Sequence, residues 1–267
     1  TVTGYEVTNI SNALYTEDDF TFSGTAVVSG TDAGTYDMEV VSDDFENINT
    51  KVFENVTFVI VDGQLVIDPY DQEVKVQIVG KKDIVLYDGE AHSVKGYDIT
   101  IDNASTNENV QMVRMSRGVD TSALLKAEDI KLVGSDEMLQ TNAGIYAQGL
   151  DESDFTIENN NFSNVVLEVI DGELVIEKRQ VILTSGSGSK VYDGKALTKK
   201  TVDVSGDGFV KGEGATYSVT GERVDVGESL NVFTYELNDN TLDSNYDIST
   251  VFGKLTVTPM TTQPTPN

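Results

Sequence analysis

The chain carries 45 acidic side chains in 267 residues, so carboxylates are the first place to look for chemistry. Adjacent pairs stand at Asp18-Asp19, Asp43-Asp44, Glu128-Asp129 and Asp151-Glu152. A glycoside hydrolase works with two carboxylates held across a cleft. At this density adjacent acids arise without such a purpose, and the pairs assign no enzyme. Calcium is the better candidate, because it takes several oxygen donors from clustered acids and carbonyls. Asp203, Ser205 and Asp207, followed by Gly208, resemble the first half of a calcium loop. The twelfth position is Gly214, where an EF-hand needs a bidentate Glu. Asp239, Asp243 and Asp247 form a second cluster, and Asp151, Asp154 and Glu158 a third. Asp203, Asp207, Asp239 and Asp243 are therefore the metal candidates. Solvated loops are the competing explanation and the favoured one.

Other reactive residue types are scarce. There is no cysteine, and His92 is the single histidine. Disulfides, thiolate sites and His-rich metal sites are excluded. His92 has no recognisable nucleophile to serve, so a surface position is expected and no catalytic residue is assigned. Tyr5, Tyr97, Tyr146, Tyr217 and Tyr235 could stack on a sugar. Without tryptophan, packing on sheet faces is the stronger expectation. Lys75 and Asn164 are the one pair placed for an intramolecular isopeptide bond. The third copy of the repeat described below has no lysine within Gln180 to Thr184, which argues against that device.

A net charge of −27 repels nucleic acid and anionic membranes, so neither is expected as a partner. No apolar run is long enough to span a bilayer. No leader precedes Thr1, and the chain is expected to be a mature or excised fragment. Hydrophobic residues make up 39% of the chain and alternate along it, which favours an ordered fold over an acidic tail.

The elements that must position these residues repeat. Asp32-Ala33-Gly34-Thr35-Tyr36 resembles Asn142-Ala143-Gly144-Ile145-Tyr146, and Val61 to Ile67 resembles Ile170 to Ile176. Thr1 to Val7 likewise resembles Ser93 to Ile99. A third, more divergent copy opens at Tyr192-Asp193-Gly194, as the second does at Tyr87-Asp88-Gly89, and closes with Asn245-Tyr246 and Gly253 to Val257. The order of anchors predicts modules over 1–70, 71–179 and 180–259, with a Thr/Pro-rich linker over 260–267. The first copy has no opening strand, and an unpaired edge is expected there. The second carries an insertion near Asn103 to Asp136, with helix formers over Asp120 to Asp129 that predict one short helix. Elsewhere Val, Ile and Thr in alternation predict strands throughout, mainly antiparallel. Asp171-Gly172 between two apolar runs predicts a tight hairpin. Glu177 to Gln180 has no Gly or Pro, which predicts a stiff joint.

In each Tyr-Asp-Gly, Gly supplies a positive φ and Asp can bond its own turn. The pattern Lys190-Val191-Tyr192-Asp193-Gly194-Lys195-Ala196, then Asn245-Tyr246, then Gly253 to Thr258, resembles the MBG/YDG-type repeats of bacterial surface proteins. The second copy shares it through Tyr87-Asp88-Gly89, Asn161-Phe162 and Gly172 to Ile176. The resemblance implies all-β, β-grasp-like modules in an elongated tandem array of an exported, cell-wall-associated protein. It transfers no catalytic residue or cofactor. The implied role is a stalk whose partners are neighbouring domains of the same polypeptide, with a monomeric chain. The alternative is an adhesin-type module that contacts glycan or host protein through the insertion in the second copy.

Overall fold

The computed structural model describes residues 1–102 and 125–261. The protein is all-β. Its helical pieces, among the described residues, are three-residue 3-10 turns at Glu17–Asp19, Ser42–Asp44, Ala127–Asp129, Glu152–Asp154 and Asp243–Asn245. Of the helix expected over Asp120 to Asp129, the described part forms only the Ala127–Asp129 turn. Residues 120–124, most of the expected insertion and the end of the Thr/Pro tail lie outside the described residues. Most ladders are antiparallel. Parallel ladders join Lys82–Leu86 to Glu173–Glu177, Arg179–Ser185 to Tyr246–Val251, and Gly188–Val191 to Gly253–Thr258, among others. No helix is long and apolar enough to cross a membrane among the described residues.

Contacts divide the chain into two compact units. One comprises Thr1–Ile78, Ile99–Val133 and Glu152–Glu168, and the other Val79–Asp98, Gly134–Asp151 and Val169–Asn267.

In the first unit a short acidic turn leads into a short strand, several times over. Phe20–Phe22 pairs with Phe45–Asn47, and Ile130–Leu132 with Phe155–Ile157, both antiparallel. The same bonds recur 110 positions on. Ile48 N–H donates to the Asp19 carbonyl at 2.9 Å, and Glu158 N–H to the Asp129 carbonyl at 2.7 Å. Asn49 Nδ2 reaches Asp19 Oδ1 at 2.6 Å, and Asn159 Nδ2 reaches Asp129 Oδ2 at 2.8 Å. Aromatic rings supply much of the packing: Phe45 lies 4.9 Å from Phe22 and 5.5 Å from Phe58, ring centre to ring centre. A small buried group of Val28, Met38 and Val40 completes it.

The second unit holds a continuous buried cluster of Tyr87, Val94, Leu174, Ile176, Val181, Leu183, Phe233 and Tyr246. Alternation explains the membership. Glu173–Glu177 and Arg179–Ser185 each bury every second side chain, as period-2 strands do.

The hairpin expected at Asp171-Gly172 does not form. Val165–Ile170 pairs with Val74–Gly80, whereas Glu173–Glu177 lies between Gly144–Ala147 and Lys82–Leu86. A two-residue hairpin turn needs positive φ, and Gly172 does not adopt it. The Asp171 carboxylate instead accepts the N–H groups of Gly149, Leu150 and Gly172 at 2.7 to 3.0 Å. Gly63 behaves alike: Asp62 accepts Glu39, Val40 and Gly63 N–H. The chain thus passes from one sheet into the next. Glycine is needed for close approach rather than for turning, because a Cβ on Gly172 would run into the Lys81 carbonyl oxygen.

Gly172→Ala should therefore destabilise the protein by about 1–3 kcal/mol through overpacking against backbone, read as a lower urea midpoint. An unchanged midpoint would contradict this account of the crossing.

Candidate functional site

Tyr-Asp-Gly is a turn at both of its occurrences. Gly89 has φ +86° and Gly194 φ +72°. Asp88 Oδ1 accepts Glu90 N–H at 2.9 Å, and Asp193 Oδ1 accepts Lys195 N–H at 3.0 Å. These are Asx turns, in which the carboxylate replaces a backbone acceptor. Such bonds hold Asp88 and Asp193 below the usual carboxylate range. The leading cause is the Glu90 N–H for the first and the Lys190 ammonium for the second. The turn tyrosine is tied to the closing strand: Tyr87 N–H donates to the Glu177 carbonyl at 2.9 Å, and Tyr192 N–H to that of Thr258 at 2.8 Å. His92 is half-buried, with Nε2 2.9 Å from Asp88 Oδ1. It braces this turn at the surface.

The most elaborate polar arrangement lies where the second and third copies meet inside the second unit. Tyr87 and Tyr246 are 4% and 3% exposed, and their rings meet edge to face at 5.7 Å. Both hydroxyls donate to one carboxylate: Tyr87 to Glu213 Oε1 at 2.6 Å and Tyr246 to Glu213 Oε2 at 2.7 Å. Val210 N–H donates to the Tyr246 oxygen at 3.1 Å. Burial, followed by the Glu213 bond, pushes the Tyr87 phenol up to about 12. Burial and the same carboxylate also raise Tyr246.

Arg179 closes the joint. Its guanidinium donates to the Gly208 carbonyl at 2.8 Å, the Tyr87 carbonyl at 3.1 Å and the Asp207 carbonyl. Arginine suits this role because its planar fork presents several donors at fixed angles. Asn245 is fully buried. It accepts Ala143 N–H at 2.8 Å and donates to Asn142 Oδ1 at 3.1 Å. The first unit repeats the device: Asn161 accepts Ala33 N–H at 2.6 Å and donates to Asp32 Oδ1 at 2.9 Å. Each Asn from the end of one copy thus caps the Ala-Gly turn of the copy before it.

An open groove of about 680 Å³ runs beside this joint, lined by Ile145, Val175, Lys178, Gln180, Asp207 and Asp247 among others. Two of its carboxylates are engaged: Asp207 Oδ2 accepts Gln180 N–H at 2.8 Å and Asp247 Oδ2 accepts Gln180 Nε2 at 3.0 Å.

The calcium candidates are placed separately. Asp203 lies on the Val202–Gly206 strand opposite Thr184. Asp207 brackets Gln180, Asp239 lies in a turn, and Asp243 opens the 3-10 turn before Tyr246. Among the described residues no group of three or more acids or histidines is gathered for a metal ion. The adjacent acids have another use. Asp19, Asp44 and Asp129 each accept the N–H three residues back, at 2.7 to 2.9 Å, and so cap their own turns. Lys75 pairs with Glu73 at 3.5 Å, and Asn164 Nδ2 donates to the Asp71 carbonyl at 3.3 Å. The tyrosines pack on sheets, as where Tyr5 lies 4.8 Å from Phe22 and Tyr217 lies 6.4 Å from Phe233.

Glu213 and Arg179 escaped sequence reading, as neither stands in a motif. Asn142-Ala143-Gly144 and Asn245-Tyr246 were both legible as anchors, but their mutual contact was not. No protein-family model, curated protein or solved structure matches the chain.

Asn245→Ala should cost about 1–3 kcal/mol, because it strands the half-buried Ala143 N–H. Asn245→Asp, which keeps the acceptor, should cost less; equal losses in urea titration would contradict the cap. The Tyr87 pKa is raised on folding, so its contribution is complete below pH 10 and is lost as pH rises through about 12. Tyr87→Phe should flatten the fall in unfolding midpoint over that window. Adding calcium to EDTA-treated protein should leave the melting temperature unchanged. A rise abolished by Asp203→Ala with Asp207→Ala would establish a site, since a ligand of the folded state must stabilise it.

Proposed function

We propose that this chain is a non-catalytic, load-bearing spacer of a bacterial surface protein, which holds another domain of the same polypeptide away from the cell wall. The observation that carries the reading is the joint between the second and third copies. Only Lys178 separates Glu173–Glu177 from Arg179–Ser185. Leu174 and Ile176 from one copy share a buried cluster with Val181 and Leu183 from the next. A flexible linker would offer Gly and Ser to solvent; here an apolar core and the Tyr87–Glu213–Tyr246 bridge cross the boundary instead.

The strand directions support the same role. In the third copy the first strands pair in parallel with the last, Arg179–Ser185 with Tyr246–Val251 and Gly188–Val191 with Gly253–Thr258. Tension on the two ends drags such strands past each other along their axes. Ladder bonds lie across the strands, so shear loads many of them together, whereas peeling loads them one after another. An extracellular location accords with the cysteine-free, acidic composition and with the resemblance of the Tyr-Asp-Gly repeats.

Single-molecule pulling tests the proposal. Extended through its ends, the third copy should yield at a higher force than when pulled through Ser218→Cys and Thr234→Cys, which oppose each other across an antiparallel ladder. Equal forces in the two geometries would remove the load-bearing reading.

A further inference from the structure

Three strands in the protein occupy equivalent places beside an Ala-Gly-type strand. Gln64–Ile67 pairs antiparallel with Gly34–Asp37, matching Ile67 to Gly34. Glu173–Glu177 pairs with Gly144–Ala147, matching Ile176 to Gly144. Gly253–Thr258 pairs with Gly227–Asn231, matching Val257 to Gly227. The register is the same in all three.

The opposite edge differs. Glu173–Glu177 receives Lys82–Leu86 there, and Gly253–Thr258 receives Gly188–Val191, both parallel. Among the described residues Gln64–Ile67 ends its sheet, with Gly34–Asp37 as the partner in its two-stranded order. The preceding segment, Val56 to Val61, aligns with Val165–Ile170, which pairs with Val74–Gly80. From Val56 to Val61 no backbone group bonds to another of the described residues. The segment is nonetheless held on the sheet, with Phe58 stacked on Phe45 at 5.5 Å and Ile60 against the Val28, Met38 and Val40 cluster.

Burial records the difference. Leu174 and Ile176 are 0% and 2% exposed, while their equivalents Leu65 and Ile67 are half-buried. Val59, Val61 and Val66 are 85%, 92% and 58% exposed. An edge with unpaired backbone and exposed β-branched residues is a template for strand addition.

We propose that the edge formed by Val56 to Val61 and Gln64–Ile67 is a strand-addition site, filled by an extended peptide segment from outside these 267 residues. The occupant runs parallel to Gln64–Ile67, alternates apolar residues, and carries positive rather than negative charge. The internal counterparts define that chemistry: Val74 to Leu86 alternates apolar residues over Val74 to Ile78 and holds Lys75, Lys81 and Lys82 against the single acid Asp83. Charge decides between sources. Residues 1–70 hold thirteen acids and one base, Lys51. A second copy of this chain would bring −27 against them, and a cationic strand complements them. The site is independent of the spacer role and would persist if that role failed.

The test uses the full chain and a labelled peptide with the sequence of Val74 to Leu86. The peptide should bind saturably, and amides within Val56 to Ile67, fast-exchanging in the free protein, should become protected. In a strand, alternate amides face opposite edges, so two peptides N-methylated on one or the other alternate set should differ in affinity by at least about tenfold. Equal affinities, or binding that leaves Val56 to Ile67 unprotected, would overturn the proposal. So would protection of the same amides by concentration-dependent dimerisation, which would make a second copy the occupant.

Discussion

A strand in the middle of a small sheet must satisfy backbone groups on both edges, and this protein meets the need by bringing the first strands of a copy alongside its last. The parallel ladders between Lys82–Leu86 and Glu173–Glu177, and between Arg179–Ser185 and Tyr246–Val251, are that closure. Parallel pairing requires a long excursion between partners, and the rest of the second and third copies is that excursion. The closure also decides burial: Leu174, Ile176, Leu255 and Val257 are inaccessible because a strand covers each flank. Leu65 and Ile67, with one flank covered, remain half-buried.

The same economy governs the joint. The last strand of the second copy and the first of the third are nearly continuous, so paired backbone runs through the joint. Two tyrosines, a glutamate and an arginine then fill it. Buried hydroxyls need partners, and Glu213 serves two of them with its two oxygens. Arg179 spends its donors on backbone carbonyls of both copies rather than on a carboxylate, so its charge is solvated by peptide dipoles.

The acidity has a structural share. Asp19, Asp44 and Asp129 cap short turns, Asp62 and Asp171 gather N–H groups at sheet crossings, and Asp88 and Asp193 close Asx turns. Each is a carboxylate used as a backbone acceptor at a place where the chain changes direction. A chain made of short strands changes direction often and so uses many of them. Asp19, Asp62 and Asp88 titrate below their ordinary range for this reason.

What the amino-acid order determined by itself was local: the all-β class from Val, Ile and Thr in alternation, the Tyr-Asp-Gly turns from Gly at positive φ with Asp beside it, and the anchors of internal similarity. These depend on residues near in sequence, whose steric and hydrogen-bonding preferences act without the rest of the fold. The tertiary structure decided what depends on distant partners. Asp171-Gly172 looks like a hairpin in isolation, yet its carboxylate is claimed by Gly149 and Leu150, and its glycine lies against Lys81. Glu213 and Arg179 are unremarkable in sequence and central at the joint. Ala143 and Asn245, about a hundred positions apart, meet only because the parallel closure brings them together. A pattern of residue types carries no information on which of many equivalent strands will lie beside it; burial and backbone satisfaction settle that once the whole chain has folded.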